Sequence, residues 1–455
     1  MFEHEHVDEY SSDFILPWAL LGLAIGVPSG EFLNTERTIN QPVRMVERAG
    51  NKLQNHLDYL IGSVDRVVET NGPLVLGVGN GFKLSEPQLT RREMLGLLGG
   101  FTMGLASGSY MTSESSHQLQ RYELMTAITN QVQTIGNKLG VLLDNYPYQK
   151  NHALVIMTGG APESTLNHYD WWKPFEKRWR IKNGYSPEEA DGRHAYVYNE
   201  MVSASQASAP SEQEIKYYQT LWKEGVFLMP WWLVDDYDCV GMTLLTAAFI
   251  RNLPPKTAVT LTSHSMGALS TRMLLNFMQK GYLEGEIDPN KIDRAVLVGD
   301  PYLGNVYYSS HSTVEAWDEF VKGTFNKEKE LLHAIYPHFQ GVEKLFRSND
   351  IQIMLHRLFS LHPELIQSLN ASGLPFPVVE VADENDVFTR YSRIPGSREM
   401  ILKKNGEFHI DAVRNEAGFD AVPDQFQYIT STQAQEAHKR LPNEEESKVI
   451  LSLKN

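Results

Sequence analysis

After a gap at Gly50, apolar residues fall at Leu53, Leu57, Leu60, Val64 and Val67, in alternating steps of four and three. Residues at that spacing line one side of an α-helix, and the alternation is that of a short coiled-coil seam. Met125, Ile128, Val132, Ile135, Leu139 and Leu142 repeat the pattern. Ser113 or Ser115 can cap the start of this second helix, and Asn71-Gly72-Pro73 stops the first. The seams predict a hairpin-like helical module within residues 1–150, forming a cap on the rest of the chain. Two Gly-containing apolar runs, 14–27 and 94–106, belong with it. Neither reaches the roughly 18 residues of a bilayer-spanning helix, so both are expected as buried or interfacial helices.

From residue 151 the pattern turns to short β-rich runs separated by helices. Strands are predicted at 153–157, 226–229, 258–262, 295–298, 378–381 and 400–402, with helices at 237–252 and 268–280 between them. Strands that read as unbroken apolar runs are those buried on both faces, so the fold class is α/β, a mostly parallel sheet covered by helices on either side. Two insertions interrupt the alternation. Residues 163–225 are rich in aromatics (Tyr169, Trp171, Trp172, Phe175, Trp179), and 302–374 carry a helical pattern. Insertions of that size on a sheet scaffold are expected as lids or specificity walls. Residues 432–455 form a polar C-terminal segment with one short apolar run, Val449-Ile450-Leu451.

Charge narrows the partners. A net charge of −15 disfavours nucleic acid, which calls for clustered Lys and Arg, and electrostatic docking onto anionic lipid. The single cysteine, Cys239, excludes an intramolecular disulfide. The opening segment is acidic where a secretory signal is basic. This predicts a chain that stays in the cytoplasm or is exported without an N-terminal signal peptide. Thr90-Arg91-Arg92-Glu93 resembles a twin-arginine export signal but lies far from the first residue.

The strongest chemical signal is Ser263-His264-Ser265-Met266-Gly267, at the passage from an apolar strand into an apolar helix. A serine on so sharp a turn holds its hydroxyl above the sheet, provided its neighbours two before and two after are small. Ser263 and Gly267 meet that condition, with Ser263 where a glycine is usual. The following helix directs its N-terminus at the serine, and the Met266 N–H becomes an oxyanion donor. A second donor is expected near Gly160, in Thr158-Gly159-Gly160 after the first core strand. In this arrangement the acid and then the histidine follow the serine in the chain. Asp386 is the preferred acid: it follows the fifth strand, and Val387-Phe388 would anchor its loop, while Asp383 and Glu384 read as its solvated part. Asp300, at the end of the fourth strand, is the alternative. His409, after the sixth strand, is the preferred imidazole. His438 also lies downstream of the acid but in a polar stretch, and His264 is expected to point away from the site.

Taken together, Thr158-Gly159-Gly160, the Ser265 pentapeptide, Asn385-Asp386-Val387-Phe388 and Gly406 with His409 resemble the α/β-hydrolase superfamily, in its lipase and esterase branch, over residues 151–430. The resemblance implies acyl transfer from an ester to Ser265, with His409 as base and Asp386 behind it, and no metal or organic cofactor. The helical pattern of 302–374 and the aromatic-rich insertion favour an apolar acyl ester as substrate, with lipid or a membrane surface as partner. Three other readings compete. A metal enzyme would use some of the fifteen histidines, His4 and His6 among them, yet no His-Glu-x-x-His or Cys-x-x-Cys spacing occurs. A membrane-targeting effector phospholipase would use the apolar runs. A non-catalytic interaction protein would have no reason to keep serine, acid and histidine in order.

Overall fold

The computed structural model describes residues 40–68, 113–143, 148–158, 169–205, 216, 219–228, 238–302, 363–366, 369–386, 389, 394–410 and 430–454. The chain divides into two compact units, residues 1–44 with 70–126, and residues 45–69 with 127–455. The division runs through both predicted helices, α1 (Asn40–Val68) and α2 (Ser113–Leu143). Residues 45–69 and 127–143 therefore belong with the sheet, not with a separate module spanning 1–150. The apolar runs 14–27 and 94–106 lie outside the described residues, as does most of the 302–374 insertion.

The second unit is an α/β fold on a seven-stranded sheet of order β2-β1-β3-β4-β5-β6-β7. The strands are β1 (His152–Met157), β2 (Val226–Leu228), β3 (Ala258–His264), β4 (Ile292–Val298), β5 (Val378–Asp383), β6 (Arg398–Leu402) and β7 (Phe408–Ile410). All pair in parallel except β7, which returns antiparallel against β6. Side chains alternate across a strand, so each apolar run supplies both faces. On one face Leu154, Ile156, Val296, Val298, Val379 and Met400 pack with Tyr169, Trp172, Phe175 and Trp179. Phe175 and Trp179 belong to α3 (Lys173–Lys182), and α4 (Pro187–Ser205) adds Val197 and Met201. The expected lid in 163–225 is thus corrected for Tyr169, Trp172, Phe175 and Trp179, which cover a face of the sheet. The C-terminal segment joins the same layer, since Ile450 and Leu451 of α9 (Glu444–Ser452) are part of this core.

The other face is covered by α5 (Cys239–Asn252) and α6 (Met266–Gln279), with α6 lying along β1, β3 and β4 and against the short α7 (Pro363–Ile366). Phe249 of α5 stacks on Phe227 of β2 with ring centroids 3.8 Å apart. The helical seams attach where α5 and α6 end. The Asn252 amide donates to the Gly136 carbonyl at 2.7 Å, Gln133 donates to Glu286 at 2.6 Å, and Thr129 donates to the Tyr282 carbonyl at 3.2 Å. Because α6 starts at the strand tips and runs back along the sheet, these contacts lie at the opposite end from Ser265, so this part of the module is no cap on the site. Leu53, Leu57, Leu60, Ile128, Val132, Ile135 and Leu139 are buried, as the seam predicts. At Gly50 the helices approach closely: a Cβ there would lie 2.0 Å from the side-chain oxygen of Gln131, which would have to move aside.

Candidate active site

Ser265 joins β3 to α6 with φ 54° and ψ −122°, the one positive φ of a non-glycine residue among the described residues. Such a conformation costs roughly 1–3 kcal/mol and persists only where surrounding contacts fix it. Here the Ser265 N–H donates to the Val298 carbonyl at 3.0 Å, and the Ser265 carbonyl accepts from Ala268 and Leu269 at 2.8 and 3.2 Å. Gly267 is required by packing, because a Cβ on it would lie 2.2 Å from the Met157 carbonyl oxygen. Ser263 fits where a glycine was expected because its hydroxyl donates to the Val296 carbonyl at 3.1 Å. Met266 begins α6, so its N–H is among those of a first turn that have no partner within the helix. Gly160 lies outside the described residues.

The imidazole that meets this hydroxyl belongs to His438. Its Nε2 is 2.9 Å from Ser265 Oγ, and its Nδ1 is 3.0 Å from Asp386 Oδ2. Asp386 is 1% exposed and acts only as acceptor when ionised, so it selects the tautomer with the proton on Nδ1. Nε2 then carries the lone pair that the serine hydroxyl donates to.

His409 is not that imidazole. It is exposed on the edge strand β7, opposite Ile401 and four places along the sheet from β3. Four strand spacings amount to about 19 Å. Asp300 is also excluded from the pairing: it is buried against Arg272, taking Nε at 2.7 Å and Nη2 at 2.6 Å. Of the preferred sequence assignments, Ser265 and Asp386 come together and His409 does not.

His438 is the last residue of α8 (Ser431–His438), and side-chain caps define its segment. Thr430 and Gln433 form a capping box at the start of α8, and Asn443 with Glu446 forms another at the start of α9. Between them Arg440 donates Nη1 to Asp383 at 2.8 Å and to the Lys403 carbonyl at 2.9 Å, and Nη2 to Glu446 at 2.7 Å. Asp383, expected as solvated, is therefore a buried anchor. Two signals in the sequence point to this segment: the Thr430-x-x-Gln433 and Asn443-x-x-Glu446 spacings mark consecutive helix starts, and Val449-Ile450-Leu451 needs a core.

Beside the site two carboxylates share one guanidinium. Arg272 binds Asp300, stands 3.5 Å from Glu380, and lies 4.5 Å over the Tyr302 ring. Glu380 also accepts from the Ser397 hydroxyl at 2.5 Å and the Ile394 N–H at 2.9 Å. Burial pushes Glu380 up to about 7, against the pull of Arg272, and burial raises Asp300 in the same way. Between its ordinary 4.5 and about 7, Glu380 holds more proton in the folded than in the unfolded chain. Its contribution to stability is complete below the lower value and is lost as pH rises through the upper one. Urea unfolding across that window should show Glu380→Gln gaining on the wild type as pH rises; a difference independent of pH would refute the assignment.

Among the described residues no helix is long and apolar enough to cross a membrane, and no three His, Cys, Asp or Glu side chains group as metal ligands do. Compared with protein-family models, with curated proteins and with solved structures, the chain matches none of them.

Proposed function

We propose that this chain is a serine hydrolase of the α/β-hydrolase kind, cleaving carboxylic esters through an acyl-enzyme on Ser265. The observation that carries the reading is the unbroken line from Ser265 Oγ to His438 Nε2 at 2.9 Å and from His438 Nδ1 to Asp386 at 3.0 Å. Its position in the sheet supports it. The chain goes from β1 outward to β2 and then returns past β1 to β3. The carboxyl ends of β1 and β3 therefore flank a topological switch point, where open α/β sheets bind ligands.

In the proposed reaction His438 Nε2 takes the hydroxyl proton as Ser265 Oγ attacks the ester carbonyl. Asp386 stabilises the imidazolium and holds the ring. The oxyanion forms at the first turn of α6, where the Met266 N–H and the helix dipole favour negative charge. The imidazolium then returns its proton to the departing alkoxide. Water, deprotonated by the same Nε2, attacks the acyl-enzyme, and Ser265 is restored with release of the acid. A fluorophosphonate should modify Ser265, located by peptide mass, and Ser265→Ala should take up none. Label on another residue of the wild type, or no label, would sink the reading.

The substrate we propose is an ester with an apolar acyl chain, lipids included. Tyr169, Trp172, Phe175 and Trp179 lend this no support, since they fill the sheet core. Rates on p-nitrophenyl esters should rise from acetate to octanoate; the reverse order would confine the enzyme to short acyl groups.

A further inference from the structure

His264 precedes the nucleophile and ends β3, where its side chain was expected to turn away from the site. It does not. The ring is almost buried, and its Nε2 is 2.7 Å from the main-chain carbonyl of His438. A carbonyl only accepts, so His264 carries a proton on Nε2 and donates it. The two rings stand 5.4 Å apart at 39°, and both lie over Gly299. A Cβ there would be 3.3 Å from His438 Cε1 and 3.4 Å from His264 Cδ2.

We infer that His264 is a positioning residue, which fixes the main chain of His438 relative to Ser265 and so sets the serine–imidazole distance. The inference rests on the serine hydrolase reading and extends it. Asp386, which orients the His438 ring, and Asp383, which holds Arg440, both come from the end of β5. Ser265 follows β3, two places away in the sheet. Anchors on β5 transmit any relative shift of the two strands into the Ser265–His438 distance. His264 is covalently next to Ser265 and bonded to the main chain of His438, so it spans that gap with a single side chain. Rates respond steeply to such distances: about 1 Å of misplacement can cost 10²-fold.

The test uses the full chain with three substitutions. His264→Phe keeps a ring and loses the donor. His264→Gln carries an amide N–H at nearly the reach of Nε2, and His264→Asn carries one too short to arrive. With His264→Phe, kcat on a p-nitrophenyl ester and the fluorophosphonate labelling rate should fall about 10- to 100-fold with KM little changed. His264→Gln should recover most of that loss and His264→Asn should not. Should His264→Phe fail to fold, the Gln and Asn variants make the same comparison.

A spectroscopic readout separates this inference from the reading beneath it. In protein labelled with 15N-histidine, the His438 Nδ1–H proton shared with Asp386 should shift or broaden in the Phe and Asn variants and return in the Gln variant. Wild-type rates and an unchanged resonance in the Phe or Asn variant would overturn the inference, as would a Gln variant no better than Asn. If the wild-type serine takes no label, the hydrolase reading fails. The resonance alone then decides whether His264 positions His438.

Discussion

Replacing His438 by alanine should slow acylation of Ser265 by about 10³-fold or more, whereas His409→Ala should leave it within about twofold. The contrast follows from geometry. On the proposed mechanism His438 Nε2, 2.9 Å from the Ser265 hydroxyl, is its base, and among the described residues no other imidazole is hydrogen-bonded to that hydroxyl. An unassisted serine hydroxyl is a weak nucleophile near neutral pH. What survives in the variant is oxyanion stabilisation and substrate binding, so the loss should fall on kcat and leave KM nearly unchanged. His409 is exposed on the edge strand, where truncation to alanine costs little stability and touches no reacting atom. Single-turnover release of p-nitrophenol, with the two variants side by side, measures both effects. Equal losses, or a larger loss for His409→Ala, would show that the paired atoms are not those that react.

The reason the sequence favoured the wrong histidine is physical. Ser265 is legible because its constraint is local: a strand, a forced turn and a helix occupy a few consecutive residues, and Ser263 and Gly267 are small for reasons visible in the chain. The core strands are legible because burial on both faces leaves unbroken apolar runs such as Ala153-Leu154-Val155-Ile156-Met157. His438 depends on contacts 173 residues away in sequence. Its helix buries little besides Ala434 and Ala437, so α8 shows almost no apolar stripe. His409 follows a strand after the acid, where a base is expected, yet β7 turns back antiparallel and exposes it on the rim of the sheet. Aromatic content betrays burial but not the burying partner, which is why Trp172, Phe175 and Trp179 read as a lid.

Arg440→Ala should destabilise the fold by an amount near the lower end of about 3–5 kcal/mol, the range for breaking a buried ion pair. The substitution strands two carboxylates, since Asp383 is 7% and Glu446 0% exposed. The arginine side chain itself is 24% exposed, so water can partly replace it, hence the lower end. The damage should also be directional. Glu446 closes the capping box that starts α9, and α9 buries Ile450 and Leu451 against the α3 layer. Loosening Arg440 therefore frees the C-terminal helix at its beginning and the His438 segment at its end. Hydrogen exchange should rise first in α8 and α9 while β3 and β4 stay protected, and kcat should fall further than 1/KM. Arg440→Lys should lie between, because one ammonium cannot reproduce the planar fork that reaches Asp383, Glu446 and the Lys403 carbonyl together. A urea midpoint for Arg440→Ala equal to that of the wild type would mean that the guanidinium contributes nothing to holding His438 in place.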